Sequence, residues 1–127
     1  LGIRLIINMR FTRGPETDRV EESPIDVLWL RTIDSPLFPM PVDKLVQGAR
    51  AALDTLRQGG RVYVHCAYGR HRSVVMGACI LIAQGMSVEK AVETIKRRRA
   101  AADPDVYYMK SRILRFASEW PRLSSIT

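Results

Sequence analysis

The chain has 127 residues, a formal net charge of +7, 46% hydrophobic and 26% charged residues. That length suits one domain with its own hydrophobic core, and the ordinary apolar content excludes global disorder. The charge favours anionic partners, phosphorylated proteins or other anionic phosphoesters; no nucleic acid is expected, because the chain lacks an interleaved aromatic and basic platform. Two cysteines, Cys66 and Cys79, are too few for a disulfide framework and fit a reducing, cytoplasmic setting. If Cys66 lies in a loop and Cys79 two turns into the following helix, roughly 10 Å of helix rise keeps them from pairing. The longest apolar stretch, VVMGACILIA, is about half of what a spanning helix needs, so no membrane span is expected. No signal peptide is visible, and the chain opens LGIRLIINM without an initiator methionine, which leaves upstream residues and a targeting segment open. The oligomeric state is not legible.

In chain order, IRLIINM (residues 3–9) is a short apolar run that predicts a buried strand. The charged stretch RFTRGPETDRVEESP predicts an exposed loop, and VLWLRTI (27–33) a second strand that ends in the proline-rich DSPLFPMP. From Val42 to Arg57 the apolar positions recur at helical spacing, and Gly59 and Gly60 stop the helix. RVYVHC (61–66) predicts a third strand, apolar on both faces as central parallel strands tend to be. The loop AYGRH leads into a helix ending near Gly85. Ser87 caps a further helix, and Asp103–Pro104 opens a last one that runs to about Trp120. Strands joined through helices predict an α/β domain, a largely parallel central sheet flanked by helices, spanning 1–127 as a single unit. Ligands of such sheets bind beyond the carboxyl ends of the strands, where Cys66 falls.

The segment HCAYGRHRS (65–73) places five residues between Cys66 and Arg72, with Gly69 in the middle. A loop of this size between strand and helix can turn its backbone N–H groups inward as an anion nest, and the helix start adds donors and a positive dipole end. Gly69 allows close backbone approach, and Arg72 offers a planar fork for two phosphate oxygens. The same field favours a Cys66 thiolate placed for in-line attack on phosphorus. Ser73 is positioned to hydrogen-bond the sulfur, and His65 to orient the loop rather than to serve as a base. A strand-end structural cysteine beside a surface arginine is the bland alternative. The strand before, the helix after, Gly69 and Ser73 all weigh against it.

These residues resemble a known family. HCAYGRHRS matches the HC-x5-R-S/T signature of cysteine-dependent protein tyrosine phosphatases, and the short chain looks like the dual-specificity branch along nearly its whole length. The resemblance implies hydrolysis of phosphotyrosine, and of phosphoserine and phosphothreonine, through a phosphocysteine intermediate. It makes Cys66 the nucleophile, Arg72 the phosphate clamp and Ser73 the residue that assists breakdown of the intermediate. Ala67, Tyr68, Gly69, Arg70, His71 and Arg72 then bind substrate. No cofactor is expected, and no His, Cys and Asp cluster has the spacing zinc needs.

Such chemistry needs a proton donor. Asp43 and Asp54 fall on the helical pattern, and Asp26 precedes a strand at the wrong sheet end. Asp34 follows the second strand at the same carboxyl edge as Cys66, 32 positions before it, a separation similar to that of the general acid in the dual-specificity family. Asp34 is therefore the expected acid and base. Two departures stand out. Family members usually carry another strand or two and a helix before the segment LGIRLIINM, so those N-terminal elements are missing here or that edge is built differently. Where the family often has Pro-Asn, this chain has Pro104-Asp105.

Tyr68, Arg70 and His71 are the variable positions that should rim the pocket. Arg70 and His71 suit a highly anionic substrate, and GRHR has a slight likeness to the GKHR of a branch acting on inositol pyrophosphates. A phosphoinositide or inositol polyphosphate substrate is thus the alternative to a phosphoprotein, and a catalytically silent phosphate-binding module is a second alternative. KRRR (96–99) is read as cations at a helix C-terminus. Tyr107 and Tyr108 are read as packing residues.

Overall fold

The structure, a computed structural model, describes residues 2–11, 25–32, 37, 40–66, 71–98 and 107–124. Three strands form one sheet: β1 (Ile3–Asn8), β2 (Asp26–Trp29) and β3 (Arg61–His65). Around it stand α1 (Val42–Arg57), α2 (Arg72–Ala83), α3 (Val88–Arg98) and α4 (Tyr107–Ser124). The strand order is β2-β1-β3, and both pairings are parallel. Among the described strands β1, not β3, holds the centre, and its residues from Leu5 to Asn8 are all buried. Tyr63 on β3 is 51% exposed, so the strand leading to the cysteine has one outward face despite its apolar sequence.

Register fixes the geometry that matters for function. Asn8 lies opposite Trp29 on one side and His65 on the other, so the three carboxyl ends finish level. The segment 27–33 read as a strand is shorter here. Leu30 N still donates to Asn8 O at 2.9 Å, but residues 30–32 have left the strand conformation. Beyond the strand end, the buried Thr32 hydroxyl donates to Met9 O at 2.7 Å, and Arg10 O accepts from the Trp29 indole N–H at 2.6 Å.

The helices follow the sequence pattern closely. α1 buries Leu45, Val46, Ala49 and Ala52, carries Asp43 in its first turn and Arg57 in its last, and ends before Gly59, whose φ of 85° suits glycine. α2 is buried on most sides and packs against α1, α3 and α4, which makes it the hub of the helical layers. Ser87 caps α3 as expected, its Oγ accepting from Lys90 N at 3.2 Å. The basic residues Lys96, Arg97 and Arg98 close that helix. Met109, Ile113 and Phe116 of α4 enter the core, and Phe116 stacks on Trp120 at 5.3 Å. α4 passes the expected end at Trp120 and continues through Pro121, which stands in its last turn and forfeits only its own N–H bond there. Asp103, Pro104 and Asp105 lie outside the described residues. No helix among them is long and apolar enough to cross a membrane.

Gly48 marks the tightest helix contact. A Cβ there would stand 2.6 Å from Met76 Sδ and 2.9 Å from Leu30 Cδ1. Gly48→Ala is therefore expected to cost about 1–3 kcal/mol of stability by overpacking the α1–α2 seam, read as a lowered urea midpoint with unchanged slope.

Candidate active site

Cys66 is the first residue past β3, half-buried at the level carboxyl edge. Its Sγ lies 3.4 Å from Ser73 Oγ, a pair able to exchange donor and acceptor roles: a thiol donates to the hydroxyl oxygen, a thiolate accepts from the O–H. Ser73 is buried in the first turn of α2. That helix opens at His71 with no side-chain cap and no acidic residue in its first turn, so its positive end faces the Cys66 loop uncompensated by side chains of the helix itself.

Arg72 is the residue whose surroundings say most. Although charged, it is 8% exposed. Its Nη1 donates to Thr32 O at 2.8 Å and to Met9 O at 3.4 Å, so the guanidinium is tied to the chain just past β1 and just past β2. Its Nε is buried and has no hydrogen-bond partner among the described residues. A cation held by neutral carbonyls, with a buried donor left over and no carboxylate paired to it among the described residues, is costly unless an anion completes it. The fork's unused side is the natural place for that anion.

The expected loop histidines are both half-buried. His65 stacks on Tyr63 at 5.4 Å, and His71 meets Tyr108 edge-on at 6.0 Å. Tyr108 thus supports the loop from α4, consistent with its reading as a packing residue; the Tyr107 side chain is outside the described set. Asp34, Ala67, Tyr68, Gly69 and Arg70 also lie outside it. Met9 and Thr32 are the site residues that sequence reasoning missed. They act through backbone carbonyls, which no residue type announces, although the position of Thr32 two before Asp34 is a signal of sorts.

The two thiols differ. Neither is in a disulfide. Cys79 is fully buried in α2, and burial pushes its thiol up. Iodoacetamide at neutral pH is expected to label Cys66 alone in the folded protein and Cys79 only after unfolding, as checked by peptide mass. Among the described residues no group of three His, Cys, Asp or Glu side chains is placed to hold a metal.

No family model matches the chain. Human Dual specificity phosphatase 28 is 30% identical over 110 residues, which cover 82% of this chain and 57% of that protein. The chain is thus similar to dual-specificity phosphatases of the cysteine-dependent protein tyrosine phosphatase superfamily. Human Phosphatidylglycerophosphatase and protein-tyrosine phosphatase 1 is 39% identical over 77 residues, 60% of this chain and 38% of that protein. The phosphatase fold is shared with the crystal structure of human DUSP28 at a TM-score of 0.81 and 22% identity, over 95% of this chain and 81% of that one. The chain spans less than two thirds of the length of these curated relatives.

Proposed function

We propose that the chain hydrolyses phosphomonoesters through a phosphocysteine intermediate, acting on phosphotyrosine and on phosphoserine or phosphothreonine in proteins. The observation that carries the reading is the buried Arg72 guanidinium at the start of α2, its Nε unpartnered among the described residues, one position before Ser73, whose hydroxyl lies 3.4 Å from the half-buried Cys66 thiol. In the first step the Cys66 thiolate forms the S–P bond while the P–O bond to the leaving group breaks, and the Asp34 carboxyl gives its proton to the departing oxygen. In the second, water attacks phosphorus and yields its proton to the Asp34 carboxylate. The S–P bond then breaks, with the Ser73 hydroxyl donating to the sulfur as it regains charge. Arg72 and the N–H groups of residues 67–72 hold the three phosphoryl oxygens throughout.

The roles of Asp34 and of residues 67–70 rest on the sequence and on the family. Asp34→Asn is expected to leave KM for an aryl phosphate within about threefold and to lower kcat by about 10²–10⁴, most with poorly acidic leaving groups. Equal loss with para-nitrophenyl and alkyl phosphates would remove Asp34 from the mechanism.

A second reading keeps the chemistry and changes the substrate to a phosphoinositide or inositol polyphosphate. It is favoured by the net charge of +7, by Arg70 and His71, and by the relative whose name includes phosphatidylglycerophosphatase. Turnover measured side by side on a phosphotyrosine peptide, a phosphothreonine peptide and inositol phosphates separates the two. Absence of phosphate release from all of these and from para-nitrophenyl phosphate would leave only a silent phosphate-binding module.

A further inference from the structure

The level strand ends bring a second group of side chains to the same edge as Cys66. Trp29 closes β2, and its indole N–H donates to Arg10 O at 2.6 Å. Arg31 follows two residues later, and its Nε donates to Phe11 O at 2.8 Å. The Arg31 guanidinium carbon lies 3.9 Å from the centre of the Phe11 ring and 5.7 Å from that of Trp29. Lys44, from the first turns of α1, donates from its ammonium to the Arg31 carbonyl. Phe11 and Trp29 are 39% and 37% exposed, and Arg31 is exposed as well.

A solvated arginine lying on aromatic rings for their shelter would explain part of this. It does not explain the anchoring. Trp29, Arg31 and Lys44 are each held by a hydrogen bond to main chain, so one ring and two cations are displayed in fixed positions, with the Phe11 ring lying against the anchored Arg31 guanidinium. Among the described residues no carboxylate pairs with Arg31, in a chain whose charge is +7. Exposed aromatic rings flanking a cation, with further cations beside them, match the interface of an anionic bilayer. There the rings lie at headgroup depth and the guanidinium fork grips lipid phosphate.

We propose that the Phe11–Arg31–Trp29 cluster docks this protein on anionic lipid surfaces, with its catalytic edge turned toward the bilayer. Orientation follows from chain continuity: Arg31 is bonded to Thr32, whose carbonyl accepts from Arg72 at 2.8 Å. The docking is a property of the surface and holds whether the ester cleaved belongs to a protein or a lipid.

Tryptophan emission tests it directly, because the chain has two tryptophans and Trp120→Phe leaves Trp29 as the reporter. Vesicles of phosphatidylcholine with about 30% phosphatidylserine are expected to sediment the protein and shift Trp29 emission to the blue, while pure phosphatidylcholine does neither. Arg31→Glu and Phe11→Ser should each weaken partitioning about tenfold, while Lys96→Glu, the same charge change on α3, should weaken it less than about threefold. Equal losses from Arg31→Glu and Lys96→Glu would reduce the effect to overall charge and overturn the proposal. So would sedimentation with unshifted Trp29 emission, or failure to bind anionic vesicles at all. Should Trp120→Phe not fold, Trp29→Phe in the otherwise unaltered chain must abolish the blue shift, and its persistence would equally overturn the proposal.

Discussion

Cys66→Ser is expected to lower phosphate release from para-nitrophenyl phosphate by on the order of a thousandfold or more. A serine hydroxyl remains protonated where a thiol ionises, so the same positive surroundings that favour a thiolate give an alcohol little help. The substitution is small and keeps an oxygen within reach of Ser73, so the fold should persist. The thermal midpoint should still rise with added inorganic phosphate, because the anion site is left in place. Cys79→Ala supplies the contrast. That residue is buried in the core of α2, and its truncation should cost stability while leaving turnover within about twofold. A Cys66→Ser protein with turnover near that of the parent would remove the phosphocysteine from the mechanism.

The second large effect is at Arg72, where two variants separate two jobs. Arg72→Lys keeps a cation but loses the planar fork, so catalysis should fall about a hundredfold or more, with KM for an aryl phosphate raised as well as kcat lowered. Arg72→Ala should lose at least as much activity. It also strips the Arg72 donor from Thr32 O and, from Met9 O, the longer of two hydrogen bonds, at a cost of about 1–3 kcal/mol, or several degrees of thermal midpoint. If Arg72→Ala left the melting temperature unchanged, the tie to the strand ends would carry no weight.

Much of this architecture was open to a reader of the sequence. α1 announces itself through the spacing of Leu45, Val46, Ala49 and Ala52, and Gly59 marks its end, because helical period and left-handed backbone are local properties. The C-x5-R spacing, Ser73 and the strand–loop–helix setting are local too. Non-local choices were hidden. VLWLRTI has the composition of a seven-residue strand, yet β2 stops at Trp29, and beyond it the hydroxyl of Thr32 bonds to Met9, which is 23 positions away. RVYVHC has the composition of a central strand, yet Tyr63 is half-exposed on the flank of β1. The contact of His71 with Tyr108 joins the start of α2 to the start of α4, and no pattern in either neighbourhood foretells it.

The tie between Arg72 and the carbonyls past β1 and β2 has a thermodynamic consequence. One guanidinium joins these two strand ends and, on the proposed reading, also receives the oxyanion, so occupancy of the site and order at the sheet edge are linked functions. Whatever anion binds there should slow amide exchange not only in the loop but at the far termini of β1 and β2. Conversely, a substitution that loosens those termini should weaken anion affinity while leaving every residue of HCAYGRHRS intact.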